Sequence, residues 1–113
     1  MEITQLLNLV KHALEDKKAE DIQVLDVSKL SSFTDMMVIA SGLTSRQVSA
    51  MAMNVIEQAK AHGKQPLSEC GRDFGEWALV DLGEIVVHVM QPQIRNFYQL
   101  ERLWGDMEGV ELV

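Results

Sequence analysis

Three histidines, one cysteine, a cluster of serines and a few aspartates are the groups with which this chain could do covalent or metal chemistry. Their spacing argues against it. His12, His62 and His88 are scattered, with no His-x-x-x-His or Cys-x-x-Cys pair to begin a ligand set. His88 reads as a hydrogen-bonded structural histidine. A serine nucleophile needs a base and an orienting acid. Ser41, Ser45 and Ser49 gather at a helix start without a Gly-x-Ser-x-Gly elbow, so turn and capping roles account for them. Cys70 has nothing basic closely before it and reads as an inert thiol.

One anion-binding pattern deserves weighing. A strand, then Ser41-Gly42, then a helix N-terminus carrying Arg46 could present backbone N–H groups to a phosphate. Nucleotidyl-transferring folds use such a turn, together with two or three carboxylates that hold magnesium. Asp26, Asp35 and Asp81 lie in or near strands, yet no Asp-x-Asp pair occurs. A capped helix after a tight turn is the better reading. A nucleotidyltransferase-like nucleotide-binding enzyme is the alternative. No cofactor or metal is expected.

The elements that would position these residues follow from periodicity. Ile3, Leu6, Leu7, Val10 and Leu14 predict a helix over 2–17. Residues 22–27 and 36–40 read as strands, the second buried on both faces. Thr44 and Gln47 have capping-box spacing ahead of the stripe Val48, Met51, Val55 and Ala59, and His62-Gly63 ends that helix. Residues 64–68 could add a short strand, held to an edge by Pro66. Residues 77–82 and 85–90 predict a hairpin joined by Gly83-Glu84 in a type II′ turn. Its register pairs Trp77 with Met90 and Asp81 with Val86. One face is then wholly aliphatic: Ala78, Val80, Leu82, Ile85, Val87 and Val89. The other mixes Trp77, Leu79, Asp81, Val86, His88 and Met90.

Pro92 opens a last helix that Gly105 ends. Phe97, Leu100 and Trp104 share one side, and Phe97 and Trp104 are expected in the core. Arg95, Gln99 and Arg102 take the opposite side, with Ile94, Tyr98 and Glu101 between. The tail 106–113 reads as loose. The order implies one α/β domain over residues 1–113, with a mixed, mainly five-stranded sheet and helices packed mostly on one face.

Composition bounds the function. The chain has 113 residues, 47% of them hydrophobic, which suits a single folded domain. No apolar run approaches the length of a membrane span, and no signal segment opens the chain. A cytoplasmic protein with a reduced Cys70 is expected. The net charge is −7, and residues 69–113 hold nine acids against three bases. Broad contact with nucleic-acid backbone is disfavoured, and a basic protein partner is favoured. Trp77, Met90 and Tyr98 lie in that acidic third. They make an apolar strip bordered by Asp81 and Glu101 that such a partner could use.

Two long segments carry a resemblance. Residues 35–48 read Asp-Met-Met-Val-Ile-Ala-Ser-Gly-Leu-Thr-Ser-Arg-Gln-Val. Residues 77–92 contain Asp-x-Gly-Glu-x-x-x-His, followed by Tyr-x-Leu-Glu-x-Leu-Trp over 98–104. With the strand at 21–27, these resemble the ribosomal silencing factor, or Iojap, family over most of the chain. One departure is Cys70-Gly71, where the family commonly has Glu-Gly; Glu69 is displaced by one position.

The resemblance implies a nucleotidyltransferase-like fold without the catalytic carboxylates, and a protein that is not an enzyme. It implies a translational repressor that binds ribosomal protein fourteen of the large (50S) subunit and blocks joining of the small subunit. A role in large-subunit assembly is implied for organelle members. Little direct RNA contact is expected, and a homodimer is possible when free. The family's interaction surface maps onto Trp77, Asp81, Met90, Tyr98, Leu100 and Glu101.

Overall fold

The computed structural model describes residues 2–99 other than 30 and 33, and the backbone of 111 and 112. The order of elements is α1 (Ile3–Asp16), β1 (Glu20–Asp26), β2 (Met36–Ser41), α2 (Ser45–Ala61), β3 (Ser68–Cys70), β4 (Trp77–Asp81), β5 (Ile85–Met90), α3 (Pro92–Tyr98) and β6 (Glu111–Leu112). The strands form one mixed sheet in the order β3-β4-β5-β2-β1-β6. Among the described residues only the central pair, β2 and β5, runs parallel. Five strands make the body of the sheet. The sixth is two residues long and pairs antiparallel with Leu25 and Asp26. That pairing corrects the loose tail at 111 and 112; residues 106–110 and 113 lie outside the described residues.

Helices α1 and α2 lie together on one face. Leu6, Val10, Ala13 and Leu14 of α1, and Val48, Met51, Ala52, Val55, Ile56 and Ala59 of α2, are all buried. They close over the aliphatic face of the hairpin, where Ala78, Val80, Leu82, Ile85, Val87 and Val89 have no exposed surface. At roughly 1.5–3 kcal/mol for each large aliphatic side chain, this layer is the main source of stability. Two polar ties fix the helices. Buried Asn54 donates to the Ala13 carbonyl at 2.8 Å. Gln47 donates to the carbonyls of Lys17 and Lys18, both at 3.0 Å.

The start of α2 follows the expected logic with one shift. Thr44 Oγ1 accepts the Gln47 N–H, while the Gln47 side chain accepts from Leu43 N–H and not from Thr44 N–H. The short third strand falls at Ser68–Cys70, starting four residues and ending two residues later than the segment expected. In the hairpin turn Gly83 has φ +89 and Glu84 does not have positive φ, as type II′ geometry requires.

The opposite face of the sheet carries a second, smaller core. Leu25, Val27, Met37, Ile39 and Met90 are buried there, with Trp77 and Ile94 packed against them. Among the described residues no helix is long and apolar enough to cross a membrane.

Candidate docking surface

The hairpin register places the surface residues. Trp77 pairs with Met90, Leu79 with His88 and Asp81 with Val86. Trp77, Leu79 and Asp81 therefore share one side of β4, with Trp77 and Asp81 about 13 Å apart along the strand. Trp77 is half-buried. Its indole Nε1–H donates to His88 Nδ1 at 3.0 Å. Its ring also meets Tyr98, with centroids 4.8 Å apart and planes at 54°. Phe97 continues the array, 5.1 Å from Tyr98 in an edge-on contact. Tyr98 is 50% exposed and Phe97 80%. Three rings thus run from the hairpin onto α3 and present apolar surface to solvent.

His88 lies beneath them and is 7% exposed. Burial pushes its pKa down to about 4, so the ring is neutral at pH 7. A neutral imidazole that accepts at Nδ1 carries its proton on Nε2. The expectation of a hydrogen-bonded structural histidine agrees with this arrangement.

One expected contact residue needs correction, and another has a second role. Met90 has no exposed surface, so it is the floor under Trp77 and not a point of contact. Asp81 remains half-exposed, but its Oδ1 accepts the Gly83 N–H at 2.8 Å and so also holds the turn. Leu100, Glu101 and Trp104 lie outside the described residues.

Helix α3 is rotated from the expected phase. It ends at Tyr98, because Gln99 adopts a left-handed conformation at φ +49. Phe97 was expected in the core and is instead the most exposed ring of the array. Arg95 was expected on the opposite, polar side and is 4% exposed. Its guanidinium donates to the Asp21 carbonyl at 2.7 Å and to Ser41 Oγ at 2.9 Å. The Asp21 carboxylate adds an ion pair at 3.5 Å. This buried clamp sets the rotation of α3 and so turns Phe97 outward. A seven-residue helix has too few turns for periodicity to reveal its phase.

The phosphate turn has a packing explanation. Ser41 is buried and bonded to Arg95, and a Cβ on Gly42 would meet Val48 at 2.9 Å and Met51 at 3.0 Å. Gly42 thus lets α2 press against the sheet. Asp26 and Asp81 fall on opposite faces of the sheet, three strands or about 14 Å apart. His12 and His62 do share an open cleft between α1 and α2, about 600 Å³ in volume, with Leu9, Asp16 and Gln58. Among the described residues no three His, Cys, Asp or Glu side chains converge as metal ligands. The departing residue Cys70 is exposed on the edge strand, and Glu69 pairs with Arg72 at 3.0 Å.

A family model described as ribosomal silencing factor during starvation matches residues 1–113. The chain belongs to the ribosomal silencing factor family. It is 46% identical over 105 residues to ribosomal silencing factor RsfS of Chromobacterium violaceum, covering 93% of this chain and 86% of that one. The corresponding protein of Haemophilus influenzae is 44% identical, covering 88% and 98%. A mouse protein named mitochondrial assembly of ribosomal large subunit protein 1 is 32% identical, over 87% of this chain and 44% of its own length. A crystal structure of a protein from Chromobacterium violaceum, 44% identical, superposes with a TM-score of 0.91 over 96% of this chain and 90% of that one. The chain therefore shares both its sequence pattern and its α/β fold with the family.

Proposed function

We propose that this protein represses translation by binding the large ribosomal subunit through ribosomal protein fourteen and sterically obstructing the small subunit. No bond is made or broken. The observation that carries the reading is the array of half-buried Trp77 and exposed Tyr98 and Phe97, with the Asp81 carboxylate at the other end of β4. Apolar rings flanked by carboxylate suit a basic protein surface: the rings supply affinity, and the charges supply association rate and register. Family membership supports the ribosome as the place of action, and the name of the mouse relative supports the large subunit. On this reading Trp77, Tyr98 and Phe97 are anchors. Asp81 and Glu101 face partner lysines or arginines, Leu100 adds apolar contact, and Met90 backs the patch from within. The protein works in the cytoplasm, and large-subunit assembly is a second duty of the same contact. When free, it covers the patch in a homodimer.

The test is a gradient profile of purified subunits at low magnesium and on restoring it, with and without the protein. Co-migration with large subunits and fewer joined ribosomes are expected. Migration with neither subunit, or unchanged joining at saturating protein, would overturn the reading. Trp77→Ala should leave the chain folded and weaken binding by about 2 kcal/mol, measured by pelleting with large subunits. Sedimentation of the free protein over a concentration range tests the homodimer, and monomer throughout would refute it.

A further inference from the structure

The docking reading names the rings that touch the partner but leaves open what aims them. Trp77 stands at the start of β4, where a large indole has several rotamers open to it. An indole N–H can only donate, and a half-buried one left without an acceptor is costly. His88 is the diagonal cross-strand neighbour of Trp77, two residues before its direct partner Met90, within reach for ring contact. The two rings lie 5.9 Å apart at 49°, and Nε1–H reaches Nδ1 at 3.0 Å. His88 cannot itself meet a partner over any large area, since 93% of its surface is covered by the protein.

We propose that His88 is a positioning residue for the docking surface, holding the polar edge of the Trp77 indole inward so that its carbon edge and face are offered outward beside Tyr98. The assignment rests on the docking reading above. Its logic is preorganisation: a ring already held in its bound rotamer loses less freedom when the partner arrives. Burial keeps the imidazole neutral far below pH 7, so the acceptor at Nδ1 is present throughout the physiological range.

Three substitutions separate this role from general packing. His88→Asn keeps an acceptor close to the position of Nδ1. His88→Phe and His88→Leu remove it at two different volumes, so that at least one is read in a folded chain. The indole resonance of Trp77, identified by its loss in Trp77→Phe, reports the hydrogen bond in the free protein. Affinity for purified large subunits reports docking. We expect His88→Asn to retain a downfield indole resonance and to bind within about twofold of wild type. The acceptor-free variant should shift that resonance upfield and bind about fivefold more weakly, the cost of ordering one freed side chain on binding. Combined with Trp77→Phe, it should cost nothing further.

An unchanged indole resonance in the acceptor-free variant would overturn the proposal. So would an equal loss of binding in the Trp77 and Trp77→Phe backgrounds, which would mark a fold-wide effect. The two readings fail differently. Wild type that shows the hydrogen-bonded indole but ignores large subunits refutes docking and its preorganisation together. Wild type that binds, with a resonance indifferent to His88, refutes only the positioning role.

Discussion

Lowering the pH should destabilise this protein well before its carboxylates titrate, and His88 is the reason. In the unfolded chain the imidazole has its ordinary pKa of 6.5, whereas in the fold burial lowers it to about 4. Between those values the unfolded chain binds a proton that the native state refuses. Stability is therefore fully present above pH 6.5 and is lost as pH falls towards 4. With each pKa unit worth 1.36 kcal/mol, the loss is about 1 kcal/mol by pH 5.5 and about 3 kcal/mol by pH 4. For a domain holding only 5–15 kcal/mol in all, that loss is easily measured. The assay is urea unfolding followed by tryptophan fluorescence at pH 7, 6, 5.5 and 5. His88→Asn is the control, because it keeps an acceptor for Trp77 but does not titrate. Subtracting its pH profile cancels every other group. The carboxylates of Asp26 and Glu84, held low by hydrogen bonds from Ser28 and Lys64, act in the same direction only below about pH 4.5. If His88→Asn loses as much stability between pH 7 and 5.5 as wild type does, the reasoning is refuted.

Other outcomes follow from the same contacts. Arg95→Met removes two charged hydrogen bonds from a residue 4% exposed and should cost about 3 kcal/mol in urea unfolding. The Asp21 carboxylate, itself 66% exposed, adds little to that figure. Gly71→Ala puts a Cβ 2.0 Å from the Trp77 carbonyl oxygen at φ +80, and should cost at least about 2 kcal/mol, read by thermal melting. Asp81→Asn keeps the acceptor for Gly83 N–H while removing the charge. It should slow association with large subunits severalfold at low salt, in stopped-flow measurements, and leave the rate unchanged at high salt.

How much of this was legible in the residues differs by element. The hairpin was legible down to its register, because strict alternation and Gly83-Glu84 admit one pairing that collects all six aliphatic side chains on one face. Helices α1 and α2 are long enough for their stripes to show which face is buried. Met90 marks a limit of the same reasoning. Alternation gives a side chain's face but not its depth, and a turn away from Pro92 brings Ile94 back against that face. Phe97 and Arg95 mark another. Apolar character assigns Phe97 inward and charge assigns Arg95 outward, yet the acceptors on Asp21 and Ser41 reverse both. Those acceptors lie more than fifty residues away in sequence, so no local pattern announces them. Of the expected contact residues, the fold brings Trp77 and Tyr98 into ring contact and leaves Asp81 at the far end of β4.

The place of β5 in the sheet bears on when the docking surface exists at all. Strand β5 has β4 on one side and, on the other, β2, whose residues come some fifty positions earlier in the chain. Its amides point alternately to β4 and to β2, and those on the β2 side open only when the central parallel ladder opens. Their hydrogen exchange should therefore track global unfolding and not local fraying. The rings on β4 and α3 flank this strand directly. A chain that has lost its central ladder thus has no assembled ring array to offer. On the proposed docking reading, recognition is gated by the cooperativity of the fold, and a half-unfolded copy has no array with which to compete for the partner.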